Sequence, residues 1–377
     1  MGNSIANLAP VDFALIGHQE SWRAAADVLA VLRGPGRTPL PDEEIRDILP
    51  WIPPRPVCHV EIASVTGTKA HGLYIDSFIP PDRLADANLR DNTARVRGAA
   101  ACAINAGAKI ASLGGFSSIL IEGNFNQLPE SLAISTRKST VFTTGNTLTV
   151  GFIVQGVRKM CALQRRNLGR STLLIVGATG DVGSGCARCL AHGVKRVQLH
   201  ARNLQRLRGL AEELEADGVS VEMAADLRQF SAPADVVICA ASLASSSLLL
   251  GAISTEAIIC DAGYPKNLSP TAEMPRARVF FGGLGQVTGG LTLSPDLYGV
   301  LNRYPFPDVV HGCLLEGMAL ALEHRFEPFS HGRGFITPER VDEIKTIAVR
   351  HGISLAPLYN AQGPLETAPE SFVYCMG

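Results

Sequence analysis

Thr172-Leu173-Leu174-Ile175-Val176-Gly177-Ala178-Thr179-Gly180-Asp181-Val182-Gly183 is the stretch that decides the fold of this chain. Its first five residues are an unbroken apolar run, as in a central strand covered on both faces. Glycines follow at 177, 180 and 183, and the pattern turns helical from Ser184 to His192. Glycines let a backbone turn sharply and approach a pyrophosphate, while a helix start presents free N–H groups and a positive dipole end. Three spaced glycines alone carry little weight. Set between that strand and that helix, with a second strand at Arg196–Leu199, they read as a dinucleotide-binding loop. Gly177, Thr179, Gly180, Asp181, Val182 and Gly183 are therefore candidate cofactor residues.

The second strand ends in His200-Ala201-Arg202-Asn203, where an NAD-preferring site usually places an acid for the ribose hydroxyls. Arg202, with Arg206 one helical turn on, suits a 2′-phosphate instead, so NADPH is the expected cofactor, with Arg202 and Asn203 in its site. The alternative is a pair of arginines that only solvate a helix start. Further strands at Asp235–Ala240 and Ile258–Asp261 lead to Ala240 and to Gly263-Tyr264-Pro265-Lys266. Ligands gather at the carboxyl ends of such strands, which adds Ala240 and Gly263 to the cofactor wall.

Outward from this core, Ser171 to about Gly283 alternates short strands with helices, the mark of a doubly wound parallel sheet. The fold class is α/β: a central Rossmann domain (166–300), an N-terminal α/β substrate domain (1–165) and a C-terminal helical segment (301–377). The segment up to about Leu49 reads as partly helical, Val57–Val65 and Gly72–Phe78 as strands, and Ala94–Ala108 as a helix. Leu113–Ser118 and Phe142–Thr147 carry glycines that permit tight turns and close ligand approach, and on residue types alone they read as ordinary turns; Gly282–Gly290 reads as a loop beside the cofactor, and helices close the chain.

Composition narrows the function classes. The 377 residues carry 34 basic and 35 acidic side chains, so nothing draws the protein toward nucleic acid or an anionic membrane. No charge falls between Asp235 and Glu256, but Ser242, Ser245, Ser246 and Ser247 interrupt the run, and no transmembrane span is expected. Met1–Pro10 has no secretory pattern, and nine scattered cysteines suit free thiols in a reducing cytoplasm.

Several reductase devices are missing. There is no Tyr-x-x-x-Lys pair and no metal-ligand cluster, and Cys186-x-x-Cys189, on the helix after the phosphate loop, reads as packing rather than a metal or redox pair. Val310, Cys313, Leu314, Gly317, Met318 and Ala321 recur at helical spacing, which by itself makes Cys313 a core residue. A nucleophilic cysteine needs a thiolate-favouring neighbour such as a helix start or a histidine, and Asp308 and His311 place Cys313 near such a start.

At this point the chain resembles the cyanobacterial long-chain fatty acyl–acyl carrier protein reductases, which form aldehydes. The resemblance runs from about Phe13 to Gly352 and includes Leu15-Ile16-Gly17-His18, His71-Gly72-x-Tyr74-Ile75, Leu113–Phe116, Phe142–Thr147, the phosphate loop, Ala201–Asn203, Gly263–Asn267 and Arg350-His351-Gly352. In that family the nucleophile lies in a Cys-x-x-Glu-x-Met context, which Cys313 to Met318 matches. The resemblance implies that Cys313 takes the acyl group from acyl carrier protein, or from acyl-CoA, that NADPH reduces the bound thioester, and that an aldehyde-consuming enzyme is a partner. His18, His71 and Lys266 are candidate proton donors or carrier contacts that sequence does not rank.

Leu284–Asp296 and Pro305-Phe306-Pro307 depart from the family pattern, and these departures leave chain length and carrier open. Two other readings stand beside this one: a shikimate- or glutamyl-tRNA-reductase-like NADPH enzyme acting on another acid, and a non-catalytic NADPH-binding protein. The near-neutral charge argues against tRNA.

Overall fold

The computed structural model describes residues 11–34, 40–83, 89–121, 140–241, 252–263, 278–301, 303–332 and 334–365. Two six-stranded sheets carry the chain. The first contains β1 (Phe13–Gly17), β2 (Arg55–Ala63), β3 (Lys69–Asp76), β4 (Ile110–Leu113), β5 (Val141–Thr143) and, from much later in sequence, β13 (Leu291–Ser294). Its order is β13-β2-β3-β1-β4-β5, with β3, β1, β4 and β5 parallel and β2 antiparallel to both of its neighbours.

Strand β1 is buried at every residue because both faces are covered. Ala14 and Ile16 pack toward α3 (Leu89–Ala106) and α4 (Phe116–Ile121). Phe13 and Leu15 share the opposite core with α1 (Trp22–Leu32), α2 (Asp42–Ile48) and α9 (Gly312–Leu322). A short strand buried on both sides has no alternating pattern, so it is hard to tell from a helix start.

The second sheet is the expected Rossmann unit. Strands β6 (Thr172–Val176), β7 (Arg196–His200), β8 (Val221–Ala224), β9 (Ala234–Cys239), β10 (Ile253–Asp261) and β11 (Val279–Phe281) lie in the order β11-β10-β9-β6-β7-β8, every pair parallel. Helix α6 (Asp181–Leu190) starts at Asp181, three residues before the expected Ser184, and α7 (Leu204–Ala216) follows β7. Helix α5 (Asn146–Leu163) joins the two sheets and belongs to both cores. Its Leu148 and Phe152 pack in the first, and Val150, Ile153, Val157 and Met160 in the second.

Two expectations are corrected. Gly282–Gly290 is not simply a loop: it contains β12 (Leu284–Val287), the centre of a three-stranded sheet with β14 (Val309–His311) and β15 (Ile353–Leu355). Leu284 and Val287 are buried there, so core packing overrides the turn-like glycine content. Helices also do not close the described chain. After the short α8 (Tyr298–Leu301), α9 and α10 (Pro338–Arg350) come β15, β16 (Tyr359–Asn360) and β17 (Gly363–Pro364). Gly352, at φ +78°, ends α10 in the left-handed turn that glycine permits. The serines at 242 and 245–247 and the Tyr264–Asn267 turn lie outside the described residues.

Gly289 allows the chain to cross from β12 to the edge of the first sheet, because a Cβ there would sit 1.9 Å from the Ala63 carbonyl oxygen. Gly289→Ala is expected to cost about 1–3 kcal/mol through overpacking, read as a lowered urea midpoint. An unchanged midpoint would contradict the docking of this crossing on β2.

Candidate active site

Cys313 is the second residue of α9, whose N-cap is His311. The helix start is seated against the β5–α5 junction. Gly145, at φ +69°, begins α5, and a Cβ on it would lie 2.0 Å from the Cys313 carbonyl oxygen. Cys313 is 8% exposed. Burial raises its thiol pKa, and Glu316 adds to this, while backbone N–H groups of Gly115, Leu314 and Cys313 itself favour the thiolate. The positive end of the helix dipole acts in the same direction as those amides.

The amide next to Gly115 holds a second group. Phe116 N–H donates to His18 Nε2 at 3.1 Å. Burial lowers the His18 pKa to about 4, partly offset by the Gln19 backbone. His18 is therefore neutral at pH 7, and with Nε2 accepting, its proton is assigned to Nδ1. One tripeptide, Gly114–Phe116, thus contacts both the Cys313 sulfur and the His18 ring.

Glu316, one turn beyond Cys313, is fully buried. Its Oε1 accepts from Thr143 Oγ1 at 2.5 Å; its Oε2 accepts from the Leu148 amide at 3.0 Å and Ser330 Oγ at 2.9 Å. Burial raises its pKa despite these bonds. Asn146, two residues before Leu148, donates from Nδ2 to Asp181 Oδ2 at 2.9 Å. The start of α5 therefore touches both the cysteine helix and the cofactor loop.

Cys313 opens on a cavity of about 410 Å³. Leu15, Val60, Met318, Leu291 and Leu293 make much of its wall apolar, and His18 and Tyr74 also line it. Gln19 donates to Asp76 Oδ2 at 2.7 Å and also hydrogen-bonds the Tyr74 hydroxyl. Burial, reinforced by Asp76, raises the Tyr74 pKa, so this phenol stays protonated. Burial likewise pushes Asp76 up to about 6. Glu20 and Arg303, 40% and 42% exposed, lie on the rim. Phe281, the last residue of β11, brings the cavity to the carboxyl edge of the second sheet.

That edge carries the phosphate loop. Gly177 has φ +84°, and its Cβ would lie 2.7 Å from that of Ala241; a Cβ on Gly183 would lie 2.3 Å from the Gly177 oxygen. The loop thus folds back tightly on itself, while Gly177, Thr179, Gly180 and Val182 stay partly open. This cradle fits a pyrophosphate lying against backbone N–H groups. Asp181 contributes its backbone at the helix start, but its carboxylate turns inward to Asn146. Arg202 and Arg206 are exposed where α7 begins. The Asn203 side chain instead caps α7, accepting from the Arg206 amide at 3.1 Å. Ala240 follows β9 beside Gly177, and Gly263 is buried with its amide donating to Asp261 at 3.0 Å.

The structure separates the three candidate proton donors. His18 lines the cavity; His71 is exposed on β3 with its Nδ1 3.5 Å from Glu61; Lys266 lies outside the described residues. Burial raises the thiol pKa values of Cys186 and Cys189, and no metal-holding cluster occurs among the described residues. No helix among them is long and apolar enough to cross a membrane. Sequence reasoning missed the seat of Cys313, although an acid at 316 inside an apolar helix was a usable signal.

Comparison with known proteins gives the following likenesses. A family model described as shikimate / quinate 5-dehydrogenase matches residues 160–280, the stretch containing β6 to β11. The long-chain acyl-(acyl-carrier-protein) reductase of Synechococcus elongatus is 32% identical over 344 residues, covering 90% of this chain and 97% of that protein. Aminotransferase PigE of Serratia is 25% identical over 305 residues, 79% of this chain but 34% of PigE, so the chain spans about a third of it. Among solved structures, the nucleotide-binding domain of glutamyl-tRNA reductase from Thermoplasma volcanium is 21% identical over 37% of this chain and 86% of that one, with a TM-score of 0.25.

Two outcomes follow from the geometry. Glu316→Ala leaves the buried Leu148 amide without its acceptor, while the Thr143 and Ser330 hydroxyls keep other partners, and is expected to destabilise the protein by about 1–3 kcal/mol, measured by denaturant unfolding. Because the Cys313 pKa is raised, its thiolate fraction grows with pH, so alkylation by iodoacetamide should accelerate roughly tenfold per pH unit from about pH 6 upward. A rate independent of pH would mean a depressed pKa and contradict the assignment.

Proposed function

Since the chain belongs to the long-chain acyl-(acyl-carrier-protein) reductase family, we propose that it reduces a fatty acyl thioester, presented by acyl carrier protein or coenzyme A, to the aldehyde with NADPH through an acyl-enzyme on Cys313. One observation carries this reading. Among the described residues, the one cysteine lining the cavity sits at a helix start, facing a largely apolar cavity that also reaches the carboxyl edge of the second sheet.

Deprotonated Cys313, held by the Gly115 and Leu314 amides, attacks the thioester carbonyl. The new C–S bond replaces the carrier's, and the leaving thiolate takes up the proton that Cys313 released. Covalent transfer divides one difficult step into two easier ones. The backbone of Gly177, Thr179, Gly180, Val182 and Gly183 would hold the pyrophosphate of NADPH, with Ala240 and Gly263 in the cofactor wall and Arg202 available to the 2′-phosphate. NADPH supplies the hydride that reduces the acyl carbon. The thiohemiacetal on Cys313 then collapses, returning the thiolate and releasing aldehyde. His18, neutral and accepting the Phe116 amide, is proposed to hold the Gly114–Phe116 turn that faces Cys313. The apolar wall keeps water from hydrolysing the acyl-enzyme. A reactive aldehyde product makes an aldehyde-consuming enzyme a natural partner.

Cys313→Ser should lower aldehyde formation from palmitoyl–acyl carrier protein by at least about a thousandfold while NADPH binding persists. Retained aldehyde formation would overturn the covalent route. Arg202→Ala should raise the KM for NADPH roughly tenfold, the worth of one charge-assisted hydrogen bond, and leave the KM for NADH unchanged. An equal effect on both cofactors would remove Arg202 from the 2′-phosphate site.

A further inference from the structure

The wall residues of the cavity form a row across the first sheet. Gly114 follows β4, Leu15 lies on β1, Tyr74 on β3, Val60 on β2 and Leu293 on β13, five neighbouring strands in spatial order. The register is continuous: Leu15 pairs with Tyr74, Val60 pairs with Gly72 two residues from Tyr74, and Leu293 pairs with Val60. Cys313 stands at the β4 end of this row, where its sulfur meets the Gly115 amide. Leu314 and Met318 run along α9 over the same cavity. The other end is closed by β13, whose pleat turns Leu291 and Leu293 toward the cavity and leaves Thr292 and Ser294 exposed.

We infer that Leu291 and Leu293 are the end stop of an acyl-chain ruler, so that β13 fixes the length of chain reduced at Cys313. The inference rests on the acyl-thioester reading above and adds the residues that set chain length. Four strand spacings of about 4.8 Å separate β4 from β13, roughly 19 Å in all. A fully extended zigzag chain advances about 1.2 Å per bond, as the extended backbone does over its three bonds per residue, so the row accommodates about 16 bonds. The stop comes from the stretch in which this sequence departs from the pattern it otherwise resembles. Nothing at the nucleophile needs to change for the stop to move.

The test is a set of saturated acyl thioesters, from octanoyl to stearoyl, on one carrier, with kcat/KM measured for wild type and variants. Wild type should favour palmitoyl. Leu293→Trp should lower kcat/KM for palmitoyl at least about tenfold and hold that for dodecanoyl within about twofold, since a methylene that no longer fits a pocket is discriminated by this order. Leu291→Ala combined with Leu293→Ala should raise stearoyl relative to palmitoyl, a direction that misfolding does not produce. Thr292→Trp, on the opposite face of the same strand, should leave the length profile unchanged. If the leucine variants scale every chain length equally, or Thr292→Trp shifts the profile as Leu293→Trp does, the ruler is overturned. If wild type reduces no acyl thioester of any length, the acyl-thioester reading itself fails.

Discussion

Everything about the site depends on taking the Glu316 carboxyl fully out of water. That burial is tolerable only because donors from three places converge on it: Thr143 at the end of β5, the Leu148 amide in the first turn of α5, and Ser330 beyond α9. An isolated buried carboxylate is costly, whereas one with its oxygens satisfied specifies a single arrangement of the groups around it. Here the arrangement fixes α9 in rotation and height, and so fixes Cys313 one turn away. The same first turn of α5 holds Asn146, whose bond to Asp181 reaches the cofactor loop. Reacting groups must approach within about 3–3.5 Å for efficient transfer, and this linked set of bonds gives Cys313 and the Gly177–Gly183 loop, the proposed nucleophile and cofactor loop, a common reference.

Burial works both for and against Cys313 as the proposed nucleophile. It raises the Cys313 pKa and makes the thiolate scarce, yet the same dry surroundings strengthen each amide dipole aimed at the sulfur. Under the proposed mechanism they would also shield an acyl-enzyme from water. The chain answers the cost of burial with backbone N–H groups at a helix start rather than with a charged side chain. His18 follows the same logic, since an imidazole kept neutral by burial accepts the Phe116 amide without bringing a charge into the cavity wall.

The dinucleotide half was legible because its physics is local. An apolar strand, spaced glycines and a helix start are contiguous in sequence, and the structure places β6, the Gly177–Gly180 turn and α6 in that order. The substrate half was not, because its parts meet only in three dimensions. Strand β1 carried no alternating pattern, being buried on both faces. Gly114–Phe116 and Gly145 look like ordinary turns until α9 is set against them. Strand β13 joins a sheet whose other strands precede it by well over a hundred residues, and no local pattern records such a partner. Asn203 and Asp181 were assigned to the cofactor by position, but their side chains serve a helix cap and an internal bond. Glu316 is the instructive case, since its chemistry was visible in sequence while its purpose required the fold.

The central claim is that Cys313 carries the acyl group. Intact-protein and peptide mass spectrometry of the enzyme incubated with palmitoyl–acyl carrier protein, in the absence of NADPH, tests it most directly. The account predicts a palmitoyl adduct confined to the peptide bearing Cys313, discharged as aldehyde when NADPH is added. An enzyme that forms aldehyde under turnover yet never labels at Cys313, or labels only at another cysteine, would contradict it.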